Sequence, residues 1–351
     1  MKKVLVTGGA GMIGSNLVKR IERNGLGAVK VADNLWRGKR EYLCDEEGQF
    51  VIDMNKDFLE VDLRNPEACR QAVRGIEEVY HLADVVAGID YVFSHQTDVF
   101  HDNLTIDSNM LKAAAEEGVE RFVYVGTACS YPKAKQFGVE APPLVEEDMF
   151  PADPESAYGW SKLVGELQTL LYGQETSMMT GVLRFHNVYG PPTDFSSERS
   201  QVIPSLIAKA ILYPKYDFQV WGSGSQGRSF VYVDDIIDSL LLAMDMGLNQ
   251  GVIQIGTDRC TSVRELAETI VAISGKKIQI QYDLSKPEGD IGRCGDCRKA
   301  EKILGWKPKI SMEEGLKKTY KWIKRQIEKN SALEFNGRQN SSYAMQEKTC
   351  L

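Results

Sequence analysis

Val4-Leu-Val-Thr-Gly8-Gly-Ala-Gly11-Met-Ile-Gly14 is the stretch that decides the fold. An apolar run, Val4 to Val6, breaks into glycines at three-residue spacing, Gly8, Gly11 and Gly14. A helical pattern follows at once in Ile13, Leu17, Val18 and Ile21. Strand, glycine turn and helix in that order offer a pyrophosphate bare N–H groups and the positive end of a helix. Gly8 suits the tight turn, Gly11 close backbone approach, and Gly14 the packing of helix on strand. A second apolar run, Ala28 to Ala32, ends in Asp33, about 20 residues on, where a carboxylate meets a ribose 2′-hydroxyl. That carboxylate would repel a 2′-phosphate, so the expected cofactor is NAD rather than NADP. A tight turn with no ligand is the plainer alternative, and the acidic end of the second strand weighs against it.

The 351 residues are enough for about two domains. A hydrophobic content of 43% supports a full core, and 26% charged residues are ordinary for a soluble protein. The net charge of −7 disfavours nucleic acid as a main partner. No apolar run approaches the roughly 20 residues of a membrane span. Met-Lys-Lys-Val4 leads straight into a strand that the fold requires, so a signal peptide is not expected and a cytoplasmic location is. Seven cysteines (44, 69, 129, 260, 294, 297 and 350) are scattered and odd in number, which suits a reducing compartment. Cys294-Gly-Asp-Cys297 has no second pair, and no histidine (81, 95, 101, 186) stands near it in sequence. A structural zinc site needs four ligands. Two ordinary thiols and no metal are the expectation.

After Asp33 comes a polar loop, residues 34–48, then a short strand Phe58 to Val61 that ends at Asp62, placed to flank an adenine. Further strands are expected at Val79 to Ala83 and Arg121 to Val125, with a helix at Asn103 to Glu117 between them. This βαβ rhythm predicts a Rossmann-type, doubly wound parallel sheet with ligands beyond the carboxyl ends of its strands. Gly8, Asp33, Ala83 and Thr127 all fall at such ends. The second half alternates Gly- and Pro-bearing segments with helices at Asp234 to Met246 and Ser262 to Ser274. It reads as a smaller mixed α/β substrate domain interleaved with returns to the sheet. The expected division is 1–185 plus about 229–258 for the cofactor, and 186–228 with 259–330 for the substrate. A helix at Met312 to Glu328 closes the fold, and residues 331–351 lose periodicity and read as a disordered tail.

Tyr158-Gly-Trp-Ser-Lys162 opens a helix expected over Ala157 to Leu171. Four-residue spacing puts Tyr158 and Lys162 on one face. A free tyrosine ionises near about pH 10. A neighbouring ammonium and an oxidised nicotinamide would favour the phenolate, letting Tyr158 take a hydroxyl proton while hydride leaves the same carbon. The spacing alone is common, and a surface aromatic beside a solvated lysine is the bland reading. Behind a nucleotide fold and a Thr127 loop it carries weight.

Four further stretches carry a resemblance: Val125-Gly-Thr127-Ala-Cys129-Ser-Tyr-Pro132, Arg184-Phe-His-Asn187-Val-Tyr-Gly-Pro191, Trp221-Gly-Ser-Gly-Ser-Gln-Gly-Arg228-Ser-Phe230 and Pro287-Glu-Gly-Asp-Ile-Gly-Arg293. With the glycine stretch and Tyr158/Lys162, they resemble the extended short-chain dehydrogenase/reductases of the nucleotide-sugar epimerase/dehydratase family, over about residues 2–328. Within it they are most similar to the GDP-sugar 3,5-epimerases, and GDP-sugar epimerase–reductases also resemble the Cys129 loop. The resemblance implies a cofactor site of Gly8, Gly11, Met12, Ile13, Gly14, Asp33, Asn34, Asp62, Leu63, Leu82 and Ala83, with Tyr158 and Lys162. It implies a sugar-nucleotide site of Gly88, Thr127, Cys129, Asn187, Arg228 and Arg293, the arginines on phosphate oxygens. Pairing into a homodimer through the helices of Asn103 and Tyr158 is implied as well. His186 reads as a packed core residue rather than an acid.

Oxidising C4 of a hexose acidifies the protons at C3 and C5, and a Cys129 thiolate near the ring would abstract one. The family's second acid/base, lysine or histidine, belongs just before Pro204, where this chain has Ser200-Gln201-Val202-Ile203. Slower or single-site epimerisation is therefore expected, unless Lys133 or Lys135 swings in. Cys129 as a small buried hydrophobe is the bland reading. A dehydratase is disfavoured, because Ala128 and Cys129 stand where those enzymes carry acids. A C4-epimerase, a C4-dehydrogenase or reductase, and a non-catalytic NAD-responsive regulator stay open.

Overall fold

The first βαβ step follows its periodicity. Strand β1 (Lys3–Thr7) leads through the glycine turn into α1 (Met12–Asn24), then β2 (Ala28–Asp33). Gly8 takes φ +64°, and a Cβ on Gly14 would overlap the Gly8 carbonyl oxygen, so the turn and the strand–helix contact both need glycine. The same half continues with β3 (Phe58–Glu60), α2 (Pro66–Val73), β4 (Glu78–His81), the short α3 (Ile89–Ser94), α4 (Gln96–Glu116), β5 (Arg121–Thr127), α5 (Ala157–Glu175) and β6 (Met179–Phe185). The computed structural model describes residues 1–136, 140, 142–195, 200–286 and 291–329. The tail read as disordered, and Pro287 to Asp290 of the last resemblance stretch, lie outside them.

The second half holds β7 (Asn187–Tyr189), α6 (Val202–Leu212), β8 (Phe218–Trp221), β9 (Gly227–Arg228) and β10 (Phe230–Tyr232). Then come α7 (Val233–Met246), β11 (Val252–Ile255), β12 (Thr261–Ser262), α8 (Val263–Ser274), β13 (Ile280–Asp283), β14 (Gly292–Arg293), α9 (Arg298–Leu304) and α10 (Met312–Lys329). The main sheet runs β11-β6-β5-β4-β1-β2-β3, every pairing parallel. This is the expected doubly wound order. On β1, Val4 and Val6 join one core and Leu5 the other, and Val123 and Phe122 divide likewise on β5. Alternation with both faces apolar is what a sheet covered by helices requires. Smaller sheets complete the molecule: β7 with β10, β8 with β13, and β9 between β12 and β14.

Two boundaries shift for physical reasons. β4 stops at His81 because the N–H groups of Leu82 and Ala83 both donate to Thr7 Oγ1, at 3.0 and 3.1 Å, rather than to a strand. α4 starts at Gln96, ahead of Asn103, because its buried stripe already includes Val99.

The cysteine expectation needs correction. Cys260, just before β12, is bonded to Cys294, just after β14, with Cα atoms 5.5 Å apart. Strands β12 and β14 flank β9 and bring together residues 34 apart in sequence, a pairing that the spacing of the cysteines does not reveal. Cys297 remains a thiol, pushed up to about 12 by desolvation. Among the described residues no helix is long and apolar enough to cross a membrane.

Candidate active site

The carboxyl ends of β1, β4 and β5 open into one cleft of about 2060 Å³. Single small-molecule sites reach about 1,000 Å³, so the space suits a dinucleotide together with a second nucleotide. Strands β1 and β4 meet where the strand order reverses, the usual mouth of such sheets. Gly11 caps α1 without a side chain, leaving the first helical turn to face the cleft, which Gly8, Gly11, Met12, Ile13 and Gly14 line. The chain therefore fits a pyrophosphate at the helix end. Asp33 is buried, its Oδ2 accepting from Ala10 N–H at 2.9 Å and its Oδ1 from Leu35 N–H at 2.8 Å. Burial raises its carboxyl and the two N–H bonds oppose that rise. Asp62 is held low, chiefly by the Arg64 guanidinium, which donates to Oδ2 at 2.6 Å. Asn34, Leu63, Leu82 and Ala83 line the same wall.

The chemical end is assembled by two caps. Thr127, the last residue of β5, turns the chain with its hydroxyl oxygen accepting from Cys129 N–H at 3.2 Å. Ser156 caps α5, accepting from Gly159 N–H at 3.3 Å, and so places Tyr158 in the first turn and Lys162 in the next. Thr127, Cys129 and Tyr158 line the cleft. Tyr158 donates to Asp84 Oδ2 at 3.4 Å, and Lys162 Nζ lies 3.3 Å from the same oxygen and 3.9 Å from Asp107 Oδ2. The expectation that Lys162 depresses the Tyr158 phenol is thus corrected for the chain's own groups. Burial, then Asp84 and Cys129, push that phenol well above its ordinary value, while a Thr127 bond opposes them. Two carboxylates face the Lys162 ammonium and offset its charge.

Asn187 and Gly88 reach the cleft, as do Arg228 and Arg293. The two arginines stand opposite each other in register on β9 and β14, both nearly buried. Two guanidinium groups side by side at a cleft suit the oxygens of a phosphate. His186 is buried, its Nε2 3.1 Å from Gln254 Oε1, and desolvation lowers it to about 4. It is a packed residue. Gln201 and Val202 line the cleft at the start of α6. Lys133 and Lys135 sit on exposed ion pairs with Asp153 (3.3 Å) and Asp148 (2.9 Å).

Sequence reasoning missed Asp84, Arg37, Lys209 and Lys286 on the cleft wall, and Asp107 behind it. Asp107 had a signal. Asn103, Ile106, Asp107, Met110 and Ala114 form one buried helical stripe, and a carboxylate at a core position demands partners.

The model of the NAD-dependent epimerase/dehydratase family matches residues 4–256. The chain is 33% identical to GDP-mannose 3,5-epimerase from Arabidopsis thaliana over 335 residues, covering 94% of this chain and 84% of that one. It is 28% identical to GDP-L-fucose synthase from Escherichia coli (strain K12), covering 92% and 96%. Among solved structures, UDP-glucose 4-epimerase from Thermotoga maritima, with UDP-glucose, superposes with a TM-score of 0.81 at 30% identity, covering 93% of this chain and 99% of that one. UDP-glucose 4-epimerase from Thermus thermophilus, in complex with NAD, gives 0.77 at 28% identity, covering 92% and 98%.

Proposed function

The chain belongs to the NAD-dependent epimerase/dehydratase family, and from that premise we propose a nucleotide-sugar epimerase that works through a 4-keto intermediate on a GDP-sugar, inverting C3, C5 or both. It is an enzyme with NAD as cofactor rather than a regulator. The observation that carries the reading is convergence: Thr127, Cys129 and Tyr158 share one cleft with the glycine cradle and the paired Arg228 and Arg293. The GDP assignment is supported by the two GDP-sugar relatives, the epimerase foremost. Residues 1–185 with 229–258 are assigned to the cofactor, and 186–228 with 259–330 to the sugar nucleotide.

NAD, held by the glycine turn and Asp33, would supply a two-electron acceptor for the C4 hydride and a source for its return. The chain's own residues do the rest. Thr127 hydrogen-bonds the 4-hydroxyl and Tyr158 takes its proton. Lys162, 3.3 Å from Asp84 Oδ2, offsets the carboxylate that otherwise opposes the phenolate, and the positive charge of oxidised NAD would favour it. With C4 a ketone, the Cys129 thiolate removes the acidified proton beside it. Arg228 and Arg293 hold the diphosphate, with Asn187 and Gly88 beside it. Gln201 and Val202 offer no second acid/base to return a proton on the opposite face, so water must deliver it there, and slower or single-site inversion is the expected outcome. That same vacancy of lysine or histidine favours C4 epimerisation as the second reading, in which Cys129 only packs.

The test incubates the protein with GDP- and UDP-sugars in heavy water, following mass gain and the product's NMR spectrum. Deuterium at C3 or C5 of a GDP-sugar, abolished by Cys129→Ala with transient NADH absorbance retained, is the expected result. Inversion at C4 without deuterium uptake would replace this reading with the second.

A homodimer belongs to the same proposal. Trp160, Leu167 and Leu171 expose apolar surface along one face of α5, beside a hollow formed by Phe100, Leu104 and Ala157. A second copy meeting this face would bury it, and Leu167→Lys should then yield monomers in light scattering. A cytoplasmic location is likewise kept as part of the proposal, with cell fractionation as its test.

A further inference from the structure

Behind the cleft wall, Lys162 is backed by buried groups whose protons can be traced. Thr7 Oγ1 accepts from Leu82 and Ala83 N–H, which uses both of its lone pairs. Its own proton must therefore go to His81 Nδ1, 2.8 Å away. An accepting Nδ1 leaves the ring proton on Nε2, which donates to Asp107 Oδ1 at 3.1 Å. Tyr124 donates to Asp107 Oδ2 at 2.6 Å, and Lys162 Nζ lies 3.9 Å from that oxygen and 4.3 Å from the Tyr124 ring centre. Burial favours the neutral acid, yet Lys162, His81 and Tyr124 together bring Asp107 below the usual carboxylate range. Asn103 ties in the segment that carries Asp84, accepting from Val85 N–H at 2.6 Å. Against Lys162 stand Asp84 beyond β4, Asp107 on α4 and Tyr124 on β5, and Tyr158 and Glu166 lie four residues to either side of it on α5. Glu166 is bound in turn to Arg184 at 2.7 Å.

We propose that Asp107, its orientation set by His81 and Tyr124, is a positioning residue that keeps the Lys162 ammonium charged and held against Asp84 just behind the cleft wall. The proposal rests on the reading of Lys162 as part of the catalytic group. The Lys162 side chain is 3% exposed, so its charge needs paired carboxylates to be held there. Asp84 also faces the ammonium, but it is shared with the Tyr158 hydroxyl, whereas Asp107 is bonded to His81 and Tyr124 behind the cleft lining.

The test titrates the side-chain carbon resonance of Lys162 in the labelled chain without ligand, assigned by its disappearance in Lys162→Met. Asp107→Asn should lower the midpoint by at least one pH unit relative to the native chain, and Asp107→Glu should recover part of that shift. The alkaline limb of kcat should move down in step, about tenfold in rate at a fixed pH beyond it. Should Asp107→Asn not fold, His81→Asn, which frees Asp107 from its anchor, should give a smaller shift in the same direction. Unchanged midpoints in the folded variants would overturn the proposal. An active Lys162→Met would instead overturn the catalytic reading, and the resonance titration would still decide whether Asp107 holds the charge.

Discussion

The β1–β2 end of the cleft is lined by the glycine turn and a carboxylate, Asp33, that is itself pinned by Ala10 and Leu35 N–H. At the β4–β5 end the lining carries ionisable side chains bonded to each other, Tyr158 and Asp84, with Lys162 and Asp107 buried behind. The first end is governed by space, because its dipoles are fixed by the helix and the turn. The second is governed by charge, because each group's protonation depends on its neighbours. The two ends should therefore fail in different ways.

The largest effect is expected at the charged end. Tyr158→Phe should lower kcat by roughly 10³-fold, and Lys162→Met should do much the same. The double variant should cost far less than the two losses multiplied, as expected of groups that act as a unit. Multiplying losses in steady-state rates would break that unit. Next comes the steric end. Gly14→Ala forces a Cβ into the Gly8 carbonyl, so it should cost about 1–3 kcal/mol of stability in urea unfolding. Wild-type stability in that variant would mean that backbone fit does not govern this end. A smaller effect follows at Asp33. Asp33→Ala should narrow the preference for NAD over NADP about tenfold, the worth of one charge-assisted hydrogen bond, as read by binding titration.

The smallest effect compares the two buried carboxylates directly. Asp33 is raised in the fold, so its contribution is full below its unfolded value, near about pH 3.9, and is lost as pH rises through its folded value. Asp107 is lowered, so its contribution is present above that unfolded value and is lost as pH falls through its folded value. In melting curves from pH 3 to 7, Asp107→Asn should flatten the acid loss of stability by a few degrees at most. Asp33→Asn should not flatten it. Equal behaviour would remove the distinction between the ends.

Residues near in sequence were the readable ones. The glycine turn, Asp33 at the end of β2, and Tyr158 with Lys162 on one face of α5 depend on strand and helix periods, which are local. Asp107 was half legible, as a carboxylate on the buried stripe of α4, but its partners come from β4, β5 and α5. Asp84 gave no sign, because its role depends on where β4 ends, and that is set by Thr7 on β1.

The amino-acid pattern by itself determined a doubly wound parallel sheet, the glycine turn with its acidic partner, and the residue types needed to oxidise a sugar at C4. Those follow from backbone geometry and side-chain chemistry within short windows. Tertiary structure alone decided that Cys260 meets Cys294 across β9, and that Lys133 and Lys135 stand on outside ion pairs. It also decided that Lys162 answers first to Asp84 and Asp107 rather than to Tyr158. Each of these turns on which charges and sulfurs become neighbours once distant strands pair, and electrostatic and covalent contacts depend on that distance in space.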